Sequence, residues 1–209
     1  MTTARIAEAV LSFWFAEGGD AGAFRAVWFE RRPAFDAEIA SRFRGAFEQA
    51  ARGALDGLAA TPRGSLALVL LLDQFPRNLF RGSRRAFATD AKARARARSA
   101  VARGFDRDLA PLERHFLYLP FQHSEDLADQ RLSVRLFASL ASTEVPDDAQ
   151  DHARRHLEVI GKFGRFPHRN AALGRDTTAP ERRYLAGPAG RYWLGEERAA
   201  EGPARRGGL

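Results

Sequence analysis

The run Leu66-Ala67-Leu68-Val69-Leu70-Leu71-Leu72 is apolar on every side and leads directly into Asp73-Gln74-Phe75-Pro76-Arg77-Asn78. A helix that is apolar all round has to be covered on all sides by other elements, so the rest of the chain must fold around this segment. Other stretches have the pattern to cover it. Ile6, Val10, Phe13 and Trp14 make one stripe at helical spacing. Phe35, Ile39, Phe43 and Phe47 recur every four residues, which predicts a long helix over 34–52 ended by Gly53. Pro62 opens the apolar helix, and Pro76, which has no N–H to donate, is expected to break or kink it.

The remainder also reads as helix. Residues 88–103 alternate Ala with Lys or Arg, a period of two that could suggest a strand. Ala and Arg favour helix and strands disfavour Ala, so a surface helix with close-packing small residues is predicted. Ser124, followed by Glu125 and Asp126, looks like an N-cap with acids in the first turn of a helix reaching about Ala141. Pro146-Asp147 opens another helix, with Asp147 and Gln150 spaced as a capping box. Thr178-Ala179-Pro180-Glu181 is a stronger capping box for a short helix ending at Gly187. The fold class is all-α: one domain over 1–186, about eight or nine helices in antiparallel hairpins, then a flexible tail over 187–209. In that tail Tyr192, Trp193 and Leu194 are placed to dock locally.

Composition excludes several functions. With no cysteine there can be no disulfide, thiolate nucleophile or Cys-ligated metal. The net charge of +7 invites a nucleic-acid reading, but only Lys92 and Lys162 are lysines, so 31 of the 33 basic residues are Arg. That bias fits a GC-rich genome better than selection for phosphate contacts, and acids interrupt the basic residues in most segments. No segment reaches the ~20 apolar residues of a membrane span. The start has a short apolar run, Ala9 to Ala16, and an Ala21-Gly22-Ala23 triplet, but Glu8 precedes the run and an amphipathic first helix fits better than a signal peptide. A cytoplasmic protein is expected.

Three polar patches interrupt this apolar chain. The first is Asp73 to Asn78, where Asp73 and Arg77 are spaced for an intrahelical ion pair and unpaired polar groups would cost about 1–3 kcal/mol each. Gln122-His123-Ser124-Glu125-Asp126, with Asp129 and Gln130, makes the second. There a carboxylate beside His123 could form an acid–base pair, or the acids could simply complement a helix start. The third, Phe163 to Asn170 with Arg175, alternates aromatic and cationic residues. Arg165, Arg169 and Arg175 are suited to clamping a phosphate or carboxylate, or to satisfying helix carbonyls and nearby acids. His152 and His156 lie four apart but lack the Glu of a zincin motif, so no metal site is assigned; His156, just before the Arg-rich loop, is a candidate site residue.

At these patches the sequence resembles a bacterial family, domain of unknown function 924. The resemblance is carried by Phe13-Trp14-Phe15, Trp28-Phe29, Leu72 to Asn78, Arg81-Gly82 and Phe87-Ala88-Thr89-Asp90. It continues through Tyr118 to Phe121, His123 to Asp126, Asp129-Gln130, His156, Phe163 to Asn170, Leu173-Gly174-Arg175 and Thr178. In one departure, Gln122 stands where the family usually has Glu. The resemblance implies an all-helical fold similar to tetratricopeptide repeats, a TPR-like superhelical array. It implies no reaction and no cofactor.

Three functional readings follow. In the first, the protein binds or acts on a small anionic molecule: Arg77, Arg165 and Arg169 hold the anion, with Asp73, Asn78, His156 and Asn170 in the binding set. His123 or His168, oriented by Glu125 or Asp126, moves a proton. In the second, a tetratricopeptide-like groove clamps an acidic peptide. The third, RNA binding, is motivated by the net charge alone.

Overall fold

The computed structural model describes residues 2–15, 24–140, 145 and 148–194. In chain order they form α1 (Thr3–Phe15), α2 (Pro33–Ala51), α3 (Pro62–Val69), α4 (Phe75–Leu79), α5 (Asp90–Ala102) and α6 (Pro111–Gln122). There follow α7 (Leu127–Ala138), α8 (Ala149–Phe163), α9 (Asn170–Leu173), α10 (Ala179–Ala186) and α11 (Pro188–Leu194), with short 3₁₀ turns between several of them. Among the described residues there is no strand, so the all-α reading holds. No helix among them is long and apolar enough to cross a membrane.

The apolar run is central. Every residue from Leu66 to Leu72 is buried, and α3 packs against α1, α5 and α6. Pro76 does not break the rod. Residues Leu70–Gln74 form a π-turn in which the Phe75 N–H reaches back to the Leu70 carbonyl, and helix continues to Leu79. Such a turn absorbs the missing proline N–H. Leu72, whose carbonyl would pair with residue 76 in a regular helix, instead accepts from Thr89 Oγ1 at 2.6 Å.

Aromatic side chains cluster against the rod at Phe75. The two motifs Phe13-Trp14-Phe15 and Trp28-Phe29 meet: the Trp14 and Trp28 rings stack 6.1 Å apart, and Trp28 Nε1 donates to the Trp14 carbonyl. Phe75 and Phe116 close the cluster around Trp14. On the opposite side α5 explains its alternating sequence. Ala93, Ala97 and Ala100 are buried, so the helix can approach α3 closely. Lys92 and Arg96 flank that face and pair with Asp56, while Arg94 and Arg98 pair with Asp129 on the other flank. Two charged (i, i+4) pairs around an Ala stripe look like period two in one dimension.

Helix starts differ from expectation at one place. Asp126, not Ser124, is the N-cap of α7: it is extended, and its Oδ1 accepts from the N–H groups of Ala128 (2.8 Å) and Asp129 (3.0 Å). Ser124 is engaged elsewhere, donating to Asp129 Oδ2 and accepting from Arg94. The helix ends at Ala138; Ala141, Pro146 and Asp147 lie outside the described residues. At Thr178 the capping box forms as expected. Past residue 186, where a flexible tail was expected, α11 continues to Leu194, because Gly190, lacking a side chain, can sit against the Leu185 carbonyl. Trp193 packs on the protein; the side chains of Tyr192 and Leu194, and residues 195–209, lie outside the described set.

The Leu72 carbonyl gives a direct test of the π-turn. Thr89→Val keeps the shape but removes the donor from a buried acceptor, so it should lower unfolding free energy by about 1–3 kcal/mol in urea denaturation.

Candidate functional site

Three segments distant in sequence converge on Asp73. Being on the most buried turn of the rod, its carboxylate has no solvent exposure. His123, at the C-terminal end of α6, lies with Nδ1 2.9 Å from both Asp73 oxygens. Arg77, one turn further along the rod, donates to the Asp73 carbonyl and stands 3.4 Å from its carboxylate, so the ion pair expected from spacing is present. The stronger partner of Arg77 is Asp90, which it grips with both terminal nitrogens at 2.9 and 3.1 Å. Arg169, from the loop after α8, donates to the His123 carbonyl at 2.9 Å and lies 3.6 Å from Asp90.

Phe166 is the hub of the loop. It is fully buried, with the Arg169 guanidinium 4.4 Å above its ring and His156 and His168 around it. Its N–H donates to Glu125 and its carbonyl accepts from Arg175, which also forks onto Glu125 at 2.7 and 3.0 Å. Gly164 and Gly174, both at positive φ (66°), turn the chain at either end of this loop. Trp193 of α11 stacks on His168 at 4.8 Å and meets His156 edge-on at 4.5 Å, forming an outer wall.

The electrostatics are unusual. Burial favours a neutral Asp73, but the charges of Arg77 and His123 and the hydrogen bonds to it win, and its pKa falls far below the usual carboxylate range. Burial and the charge of Arg77 hold His123 below its ordinary value. Burial moves His156 well down, and burial with the Arg169 charge brings His168 to about 3. Burial and the neighbouring Arg77 lower even Arg169, to about 10. Near neutral pH the cluster therefore holds guanidinium, carboxylate and uncharged imidazole. Since ionised Asp73 can only accept, His123 carries its proton on Nδ1, and Nε2 has the lone pair.

The residues expected from sequence divide into two sets. Asp73, Arg77, His123, Glu125, His156, His168 and Arg169 are brought together, whereas Asn170 turns its side-chain amide to Glu181 and Thr177. Glu125 does not orient His123, as had been expected; it is taken up by Arg175 and Phe166, and Asp73 holds the ring instead. Asp126, exposed and capping α7, is not beside the imidazole either. Arg165 is not free for an anion, since its guanidinium forks onto Glu181 at 2.6 and 2.9 Å. Asn78 faces away and ties α4 to α2 through Asp36. Sequence reasoning missed Asp90 and Trp193. The Phe87-Ala88-Thr89-Asp90 motif pointed at the former; the latter was expected to dock locally with Tyr192 and Leu194, but without a place in the site.

This is an all-helical protein with a buried Arg–His–carboxylate cluster shared by three segments. The chain belongs to the bacterial family of unknown function DUF924, whose model matches residues 10–189. Among solved structures it is similar to a protein of unknown function from Agrobacterium tumefaciens. The two are 43% identical with a TM-score of 0.79, over 88% of this chain and 98% of that one. Comparison with curated proteins finds no match.

The buried imidazoles make stability pH-dependent. An unfolded His binds a proton below its ordinary 6.5, whereas folded His168 does so only near 3. Its contribution is therefore complete above pH 6.5 and is lost progressively as pH falls from there toward 3. The melting temperature should drop between pH 7.5 and pH 5, and drop less in His168→Gln; equal drops in the two proteins would contradict the assignment.

Proposed function

We propose that the cluster around Asp73 binds a small anionic molecule and that His123 transfers a proton to or from it. The observation that supports this most is the Asp73–His123 hydrogen bond set beside two guanidiniums in a buried cluster. A general base needs a lone pair at neutral pH and stabilisation once protonated. Burial, with the charges of Arg77 and Arg169, keeps the imidazole neutral, and Asp73 fixes Nε2 as the basic nitrogen. When Nε2 accepts a substrate proton, the new imidazolium lies against the Asp73 carboxylate. An anion bound alongside offsets the arginine charges and raises the basicity of His123 at the moment it is needed.

The arginines have separate tasks in this reading. Arg77 is held by Asp90 and acts as a fixed charge rather than a gripping hand. Arg169, from the Phe166 loop, takes the contact role that the sequence had shared among Arg165, Arg169 and Arg175; Arg175, like Arg165, is forked onto a glutamate. The dense mixture of donors and acceptors supports a small ligand more than a peptide lying along an open groove.

The test is calorimetric and thermal titration with inorganic phosphate, sulfate and small carboxylates, each matched in ionic strength by chloride. Saturable stabilisation is expected from at least one anion, about 2.7 kcal/mol at a hundredfold excess over Kd. Arg169→Lys keeps the charge but loses the fork, so it should weaken that binding about tenfold or more while staying folded. Stabilisation by none of them beyond the chloride control would contradict the proposal.

A further inference from the structure

One aromatic ring lies against both arginines that flank His123. The guanidinium carbon of Arg169 stands 4.9 Å from the centre of the Phe87 ring, and that of Arg77 stands 5.7 Å from it. Both fall within the ~6 Å over which a cation is drawn to the face of a ring. Arg169 meets a second ring, Phe166, at 4.4 Å. The two guanidiniums also share one carboxylate: Arg77 forks onto Asp90 at 2.9 and 3.1 Å, and Arg169 lies 3.6 Å from it.

The fold braces Phe87 in this place. It closes a 3₁₀ turn, Arg84–Phe87, capped at its start by the Ser83 hydroxyl, which accepts from the Arg85 N–H. Its half-buried side chain packs at the edge of a small cluster of Phe47, Phe80 and Ala86. Two residues on, Thr89 is tied to the rod through the Leu72 carbonyl, and Asp90 follows as the first residue of α5. The turn thus delivers a ring and a carboxylate to the same pair of arginines.

Two guanidiniums beside one carboxylate repel each other. Arg77 takes both oxygens of Asp90, so Asp90 compensates Arg169 only at the longer distance. The negative face of Phe87 attracts both cations without occupying their N–H edges, and Arg169 spends one of its edges on the His123 carbonyl at 2.9 Å. Resting on the anion reading above, we infer that Phe87 is a positioning residue of this site, its ring fixing the Arg77 and Arg169 guanidiniums beside His123.

A consequence can be read at His123 itself. Around it stand Asp73 and Arg77 of the rod, Arg169 and His168 of the loop and His156 of α8, with Asp90 and Glu125 gripping Arg77 and Arg175 behind them. Burial and the Arg77 charge, with a smaller push from Arg169, lower its proton affinity against the pull of Asp73. If the ring face is lost, the two cations are held less closely, and the protonation midpoint of His123 rises toward its ordinary value.

The test separates the charge distribution of the ring from its bulk. Trifluorophenylalanine placed at position 87 keeps the shape and drains the negative face; Phe87→Leu removes the face and Phe87→Tyr retains it. In ligand-free protein, the imidazole ¹⁵N signal of His123 followed against pH should show a higher midpoint in the fluorinated and leucine proteins and the wild-type midpoint in Phe87→Tyr. Phosphate affinity by calorimetry should fall about fivefold in the same two proteins, the size of one cation–π contact. A melting curve reports whether Phe87→Leu folds, and the fluorinated protein decides if it does not. A His123 midpoint that is unchanged or lower in the fluorinated protein overturns the positioning role, whatever the anions do. Failure of the wild-type protein to bind any of the anions overturns the anion reading alone.

Discussion

A carboxylate removed from water costs several kcal/mol unless charges and hydrogen bonds surround it, and Asp73 lies at the middle of the central rod with no exposure at all. Its compensation comes from Gln74, from Arg77 and from His123, fifty residues on. Each partner carries its own demand. Arg77, itself half-buried, is gripped by Asp90 at the start of α5. The His123 carbonyl at the end of α6 needs a donor, which Arg169 supplies. A single buried charge thus draws in the rod, α5, the α6–α7 corner and the loop after α8. The π-turn belongs to the same arrangement, because it carries the rod past Pro76 and leaves Leu72 to be met by Thr89.

The loop around Phe166 brings cations into a region that already contains them. Burial and the Arg77 charge lower the pKa of Arg169, and burial with the charges of Arg77 and Arg169 holds His123 uncharged. Asp90 and Glu125 offset part of the repulsion by gripping Arg77 and Arg175. The guanidinium edges that remain are those an incoming anion would meet, and uncharged His123 beside them is what proton transfer requires.

Much of the fold was legible in the sequence because periodicity reports burial directly. The Phe35–Phe47 stripe gave α2 nearly to the residue, and the Ala stripe of α5 was visible beneath its charges. Contacts across the chain were less so. The spacing of Asp73 and Arg77 exposed their ion pair, but nothing local links Asp73 to His123, and the acids adjacent to His123 drew attention from the one that holds it. Ser124 and Asp126 are both good capping residues, and only the backbone angle at Asp126 decides between them. Arg165, Arg169 and Arg175 look alike in sequence; Glu181, brought close by the Thr178 capping box, takes Arg165 out of the site. Trp193 lay in a Gly- and Arg-rich stretch whose composition concealed a short helix.

The claim on which the account turns is the state of His123. With only five histidines in the chain, long-range ¹H–¹⁵N NMR of the imidazoles, with His123→Gln to assign its signal, reads that state directly. The account predicts a neutral His123 ring at pH 7, protonated on Nδ1 with an unprotonated Nε2, and a shift of that signal toward imidazolium when an anion binds. An imidazolium at pH 7 without ligand, or a proton residing on Nε2, would contradict it.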